Sequence, residues 1–239
     1  KLTGGGAPNT GATADGPVCA VPPVERIVAT AKDWIGVPAQ GGIDDPAPMV
    51  AAVSKTLDEL GLPQHVLATT DDTGRERPVG IVVAIEGQHP GPTYVLNAVV
   101  DTAPADPKSD GCQTDPFAAH EANGWLYGRG AADSKTAGAL FAHLGAEMMQ
   151  HRDQMQGNIL LFFDADEHSG KFYGVKSFVE NYPDVDGVMI GYTGHNSIKI
   201  GSRGFYRPHL LVHGHAQDMM LPDAEGPSSA IRASRLMMA

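Results

Sequence analysis

The stretch "NILLFFDADEHSG", residues 158–170, decides the fold class. It opens with a continuous apolar run, which is typical of a central strand covered on both faces. Two segments upstream, "GIVVAIEG" (80–87) and "TYVLNAVV" (93–100), are rich in Val and Ile and bounded by Gly and Pro, as is the shorter "HVLATT" (65–70). These features predict three more strands, of which the two longer are mostly buried.

Segments with apolar residues at helical spacing alternate with these strands. They occupy residues 24–36, 47–61, 131–150 and 171–182, and "DGVMIG" (186–191) follows as a further predicted strand. Strands that alternate with helices predict an α/β layered domain with a largely parallel central sheet. In such sheets, ligand sites gather at the carboxyl ends of the strands.

The charge balance restricts the class of partner. Lys and Arg number 17 against 28 Asp and Glu, which gives a net charge of -11. Nucleic acid and anionic membrane surfaces would be repelled, so neither is expected as a partner, and a small molecule or short peptide is expected as substrate. No stretch approaches the roughly 18 apolar residues that a spanning helix needs.

The compartment is left open by the sequence. The first residue is Lys1 rather than Met, so an earlier signal peptide stays possible, although the cytoplasm is the preferred compartment. The cysteines are Cys19 and Cys112, too few for a disulfide framework or a zinc-finger spacing. We expect two unpaired thiols in preference to a bridge between them.

The chain divides into three predicted regions. Residues 1–20 lack apolar periodicity and are interpreted as a flexible leader. Residues 21–203 form the main domain, which ends in a predicted strand and turn at 197–204. Residues 204–239 contain an alternating segment, predicted as a strand, and a helix opened by Ser228 or Ser229. A strand and a helix cannot close a core, so this region is interpreted as the truncated start of a second domain, and the chain as a piece of a longer protein.

Acidic residues lie at three predicted edges of the sheet. Asp101 follows a strand and starts a long polar loop to Trp125, which we expect to line a site. Asp133 lies at a helix start, and Glu167 and His168 follow the central strand. Singly, these could be a turn residue, a helix cap and a surface histidine.

Together, the same residues suggest a metal centre. Asp, Glu and His from separate elements at one edge are the ligand types that zinc and similar cations prefer. Hydrolysis at a metal also needs a general base close to the activated water. Glu167, adjacent to the candidate ligand His168, is the candidate for that base.

A series of motifs resembles one known family. In order, "VVDTAP", "TDPF", "NGWLYGRGAADSK", "FFDADEHSG" and "GSRG" resemble the M20 metallopeptidase and aminoacylase family, over residues 24–239. The resemblance implies an α/β, zinc-exopeptidase-like catalytic domain with a mostly parallel central sheet. It also implies that an inserted α+β lid or dimerisation domain begins at "GSRG", and hence a homodimer or higher homo-oligomer.

The resemblance also implies roles for the site residues. The family's two divalent cations are bridged by the Asp that matches Asp133, and its catalytic Glu matches Glu167. The next position, usually a carboxylate ligand of the first metal, is His168, which can also bind metal. Zinc is the expected metal, with manganese or cobalt as alternatives, and a C-terminal histidine ligand would lie beyond Ala239.

Departures from the family pattern predict one metal rather than two. The family's "GHxD" histidine, a ligand of the second metal, is absent because Ala98 and Val99 stand in that stretch, although Asp101 is kept. The family's other ligand that binds only the second metal falls at Tyr192. Asp101 is therefore a candidate catalytic residue that binds a substrate amine, holds a water or replaces a ligand, and His195 could also approach.

A third departure lies in the lid segment. The family's oxyanion-stabilising histidine falls at Asp218, and His215 is out of register. The predicted function is a metal-dependent hydrolase of an amide or peptide-like C–N bond in a small carboxylate-bearing substrate, with one metal. The alternatives are an aminohydrolase of a non-peptide aromatic amine and a non-catalytic descendant of the family.

Overall fold

A computed structural model describes residues 20–106, 108, 112, 114–192, 198–201, 204, 211–213 and 229–237. The chain separates into two compact units, Lys1–His195 and Asn196–Ala239. The predicted division at residues 20 and 203 stays a prediction. In the described ranges, no helix is long and apolar enough to cross a membrane.

The first unit alternates helices and strands, as the periodicity predicted. Its helices are α1 (Val24–Ile35), α2 (Ala47–Glu59), α3 (Thr136–Gln150) and α4 (Tyr173–Asn181). Its strands are β1 (His65–Thr70), β2 (Glu76–Glu86), β3 (His89–Val99), β4 (His120–Ala122), β5 (Trp125–Tyr127), β6 (Gln156–Asp164) and β7 (Gly187–Ile190). In the second unit, α5 spans Ser229–Met237, so the predicted C-terminal helix is confirmed with Ser229 as its first residue.

The central sheet has the strand order β1-β2-β6-β3-β7 within the described residues. Strand β3 runs parallel to β6 and β7, whereas β2 is antiparallel to both β1 and β6. Four strands therefore share one direction and β2 is the exception. The predicted α/β class with a mostly parallel sheet is confirmed.

Strand β6 is covered on both faces, as its continuous apolar run predicted. Phe163 meets Trp34 of α1 edge to face on one side, with ring centroids 5.9 Å apart. Phe162 stacks on Phe178 of α4 on the other side, at 4.5 Å. Helices therefore lie on both faces, and the carboxyl edges of β3, β6 and β7 remain for polar side chains.

The position of β6 in the sheet was not predicted from the sequence. Only Gly87 and Gln88 separate β2 from β3, yet β6 inserts between these two strands. The backbones crowd where β6 begins: Gly157 has a φ of +79°, and a Cβ there would lie 2.0 Å from the Pro92 carbonyl oxygen. A side chain at Gly157 would therefore obstruct the insertion of β6.

We expect Gly157→Ala to lower the free energy of unfolding by about 3 kcal/mol, because overpacking adds to the cost of a left-handed backbone. Gly124→Ala is the matched control, since Gly124 has a φ of +78° but no atom within 4 Å of the added Cβ. Its expected cost is about 1 kcal/mol. Urea unfolding measures both values, and equal losses would contradict the crowding argument.

Three sequence predictions need correction. The polar loop predicted for 101–125 contains a hairpin, β4–β5, whose turn residues Asn123 and Gly124 have φ values of 53° and 78°. This Asn-Gly pair is a hairpin signal that the sequence interpretation overlooked. The helix predicted to start at residue 131 starts at Thr136 instead. In the preceding turn, Ala131–Lys135, Asp133 and Ser134 have non-helical backbone angles.

The third correction concerns the second unit. A strand and turn were predicted at 197–204, but the described residues 198–201 and 204 form no strand. Of the alternating segment after Gly204, the described residues 211–213 are irregular, and the rest lies outside the described residues. β-Propensity is a weak predictor by itself, because it depends on packing against neighbouring strands.

Candidate active site

Polar side chains meet at the carboxyl edge of the parallel strands. Asp101 follows β3, Glu167 and His168 follow β6, and Tyr192 follows β7. Because these strands run in the same direction, their ends lie at one edge of the sheet. Asp133 joins them from the turn before α3, so the structure brings together all four residues predicted for the site and adds Tyr192.

Asp101 is buried behind His168. Only 2% of Asp101 is exposed, and its carboxylate accepts hydrogen bonds from the backbone N–H groups of Glu167 (3.2 Å) and His168 (2.8 Å). The Nδ1 atom of His168 lies 3.3 Å from Asp101 Oδ1 and 3.1 Å from Glu167 Oε2. A carboxylate at one ring nitrogen fixes the orientation of a histidine and leaves the other nitrogen for a ligand. The predicted catalytic role of Asp101 stays a prediction.

The other ring nitrogen of His168 faces Asp133. His168 Nε2 lies 3.5 Å from Asp133 Oδ2. Two ligands of a tetrahedral zinc, each about 2.1 Å from it, are about 3.4 Å apart. The spacing of these two atoms therefore fits a shared cation.

The two carboxylate oxygens of Asp133 differ in their hydrogen bonding within the described residues. The Tyr192 hydroxyl donates to Oδ2 at 2.7 Å, whereas Oδ1 is buried and has no hydrogen-bond partner among the described residues. A buried carboxylate oxygen without a partner is costly unless a cation or donor meets it. The chemistry of this atom also fits a metal ion.

The carboxylates raise one another's proton affinity. Burial raises the pKa of Glu167, and the nearby charges of Asp101 and Asp133 raise it further, against the opposing effect of His168. The hydrogen bond that His168 donates to Asp101 raises the pKa of His168 to about 9. Burial raises the pKa of Asp164, at the end of β6, to about 7. The site therefore attracts a cation.

Two candidate ligands come together, and the third is a prediction. In the described part of the chain, no group of three His, Cys, Asp or Glu side chains is arranged to hold a metal ion. His195, His215 and Asp218 lie outside the described residues, as does Cys19. Cys112 carries a free, exposed thiol.

The segment from 101 to 125 also contributes to a cleft. A cavity of about 710 Å³ is lined by residues between Cys112 and Arg129, which include part of the β4–β5 hairpin. Its polar lining includes Thr114, Asp115, His120, Asn123 and Tyr127. The lining includes none of the four candidate site residues, so the expectation that this segment lines the site stays a prediction.

Ser134 and Lys135 were overlooked as site residues. Both are fully buried beside Asp133. No local signal marks them, because Ser and Lys are residue types that usually lie on the exposed side of a helix.

Parallel strands that end at clustered Asp, Glu and His side chains are typical of α/β metallohydrolases. A model of the peptidase family M20/M25/M40 matches residues 95–221, more than half of the sequence, and the chain belongs to this family. The resemblance to this family identified from the motifs is therefore confirmed.

Relatives and solved structures agree with this membership. The chain is 27% identical over 188 residues to succinyl-diaminopimelate desuccinylase of Rickettsia prowazekii. This alignment covers 73% of this chain and 48% of the relative. It is 28% identical over 211 residues to the enzyme of the same name in Ehrlichia ruminantium, which covers 84% and 53%. The chain thus spans about half the length of these curated relatives.

Human carnosine dipeptidase 1 is similar in structure, with a TM-score of 0.54, 25% identity and coverage of 70% of this chain and 38% of that one. The dipeptidase Dug1p from Saccharomyces cerevisiae has a TM-score of 0.55 at 20% identity, with the same coverage. The latter similarity shows the fold alone.

Proposed function

We propose that the protein is a metal-dependent hydrolase of a C–N bond, with one divalent cation held by Asp133, His168 and a third ligand outside the described residues. The observation that carries this proposal is the 3.5 Å separation between His168 Nε2 and Asp133 Oδ2, with the Glu167 carboxylate at the same histidine. Zinc suits this donor set best, and manganese or cobalt are alternatives.

Each residue has a separate task in the proposed reaction. Held by Asp133 and His168, a divalent cation would supply Lewis-acid polarisation of the scissile carbonyl and acidification of a water. Glu167 takes a proton from the attacking water and delivers it to the departing nitrogen, and its raised pKa suits both steps. Asp101 acts through His168, because it is buried and contacts the backbone of residues 167 and 168.

A single cation is proposed because Val99 and Tyr192 stand where the family pattern has the ligands of a second cation. Ala98 and Val99 are apolar and buried at the end of β3. Tyr192 presents a phenol to Asp133, and this hydrogen bond raises the pKa of Tyr192 to about 12. A neutral phenol contributes no charge to offset a second dication.

The proposed substrate is a small amide or short peptide that carries a carboxylate. The names of two similar proteins support this class, because they denote a desuccinylase and a dipeptidase. A non-catalytic descendant is the second candidate, favoured by the loss of acidic and histidine side chains at positions 99 and 192. Homodimerisation through the lid stays a prediction.

Elemental mass spectrometry of the intact protein tests the number of metals. We expect about one equivalent of zinc per chain after loading, because the described site offers one pair of ligands. The double variant Val99→His, Tyr192→Glu should rise towards two equivalents. Two equivalents in the unmodified protein would contradict the single-metal site, and none after loading with zinc, manganese and cobalt would overturn the catalytic proposal.

A further inference from the structure

A fully buried ammonium group lies next to the candidate metal ligands. Lys135 Nζ donates to the backbone carbonyls of Trp34 and Val37, both at 2.8 Å. Trp34 lies in the last turn of α1, where carbonyl groups lack partners within the helix. Lys135 itself ends the turn that carries Asp133. Its side chain therefore joins this turn to the end of α1.

Ser134 ties the same turn to the sheet. Its hydroxyl accepts a hydrogen bond from Val99 N (2.9 Å) and donates to Val99 O (3.0 Å), at the end of β3. The backbone N–H of Lys135 also donates to Gly130 O at 2.9 Å. The two residues that follow Asp133 are thus held on separate elements, and this restricts where the Asp133 carboxylate can lie.

The loop that leaves α1 contacts His168. Gly41 approaches so closely that a Cβ there would lie 2.3 Å from the His168 carbonyl carbon. The loop is also held by Gly41 N, which donates to Thr102 O at 2.9 Å. Lys135 binds Val37 at the start of this loop, so one side chain links the turn carrying Asp133 to the loop that supports His168.

We propose that Lys135 is a positioning residue that sets the separation between Asp133 and His168 by joining these two segments. The inference rests on the proposed function, because it treats both residues as metal ligands. Lys135 itself has no exposed surface. Its hydrogen bonds act on the two ligands through the backbone, and its charge also interacts with the Asp101 carboxylate.

Lys135→Met keeps the length of the side chain and removes its hydrogen bonds. We expect zinc to bind about 10–100-fold more weakly, the range seen when groups that orient metal ligands are replaced. Chelator competition measures this affinity. The visible spectrum of the cobalt(II)-loaded variant should also change, because the spectrum reports the arrangement of the ligands rather than the stability of the fold.

Thr56→Val is the matched control. The Thr56 hydroxyl accepts a hydrogen bond from Trp34 Nε1 (3.0 Å) and donates to Ala52 O (3.2 Å), so its loss also weakens the packing of α1. It contacts neither the turn carrying Asp133 nor the loop at Gly41. We expect zinc affinity within about twofold of the unmodified protein and an unchanged cobalt spectrum.

If Lys135→Met fails to fold, Lys135→Gln, which keeps a donor on a shorter side chain, tests the same link to Trp34 and Val37, with the same direction expected. Unchanged zinc affinity and cobalt spectrum in a folded variant would overturn the positioning role and leave the proposed function intact. Failure of the unmodified protein to bind zinc or cobalt would overturn the proposed function and this inference with it.

Discussion

Glu167→Gln is expected to lower kcat by about 10²–10⁴ while zinc content stays at its original level, since general acid–base catalysis contributes effects of this size. The Glu167 side chain is partly exposed, and its Oε2 atom lies 3.1 Å from His168 Nδ1, the ring nitrogen that does not face Asp133, so Glu167 is not needed to hold the proposed metal. Gln keeps the shape but cannot accept the proton. The measurement is turnover of a panel of N-acyl amino acids and dipeptides, with zinc content determined on the same samples.

Glu180→Gln, on the exposed surface of α4, is the matched control and should leave turnover unchanged. Loss of zinc from Glu167→Gln would mean that Glu167 is a ligand. Equal turnover in Glu167→Gln and the unmodified protein would contradict its role as base. If neither protein turns over any substrate and both bind the same ligands, the non-catalytic alternative would replace the proposed function.

His168→Ala is expected to weaken zinc binding by more than about 100-fold, the upper end of the effect of replacing groups that only orient ligands. The substitution removes the nitrogen that faces Asp133 Oδ2 at 3.5 Å. Two acidic groups, Asp133 and Asp101, would remain without the imidazole between them. Chelator competition measures the affinity, and thermal unfolding with and without zinc provides an independent reading, because a ligand that binds the folded state stabilises it.

His89→Ala provides the control for His168→Ala. His89 is exposed at the first residue of β3, at the opposite end of that strand from Asp101. Its replacement should leave zinc affinity unchanged. If His168→Ala binds zinc as tightly as the unmodified protein, then the metal lies elsewhere and the assignment of His168 as a ligand is wrong.

The fold class followed from local patterns. The run from Ile159 to Phe163 is apolar at consecutive positions, which only a strand covered on both faces requires, and the structure places Trp34 and Phe178 on its two sides. Helix α1 followed from the spacing of its apolar residues. The hairpin at Asn123 and Gly124 was missed, although its signal was local, because the surrounding segment is polar and its strands have three residues each.

The partners of the site residues could not be obtained in this way. From the sequence alone, Asp101 appeared to have lost its histidine, because Val99 stands where the family has one. The structure shows that Asp101 contacts His168, 67 residues away in the chain. Lys135 likewise looked like an ordinary residue of a predicted helix, yet its nitrogen binds carbonyl groups about 100 residues away.

The sequence by itself thus determined the α/β class, the bounds of most helices and strands, and the residues that lie at the carboxyl edge of the sheet. These follow from side-chain periodicity and chain reversal, which depend on neighbouring residues. Only the tertiary structure decided that β6 inserts between β2 and β3, that His168 lies between Asp101 and Asp133, and that Lys135 joins two loops. Such contacts depend on packing between segments far apart in the chain, and no local pattern encodes the distance between them.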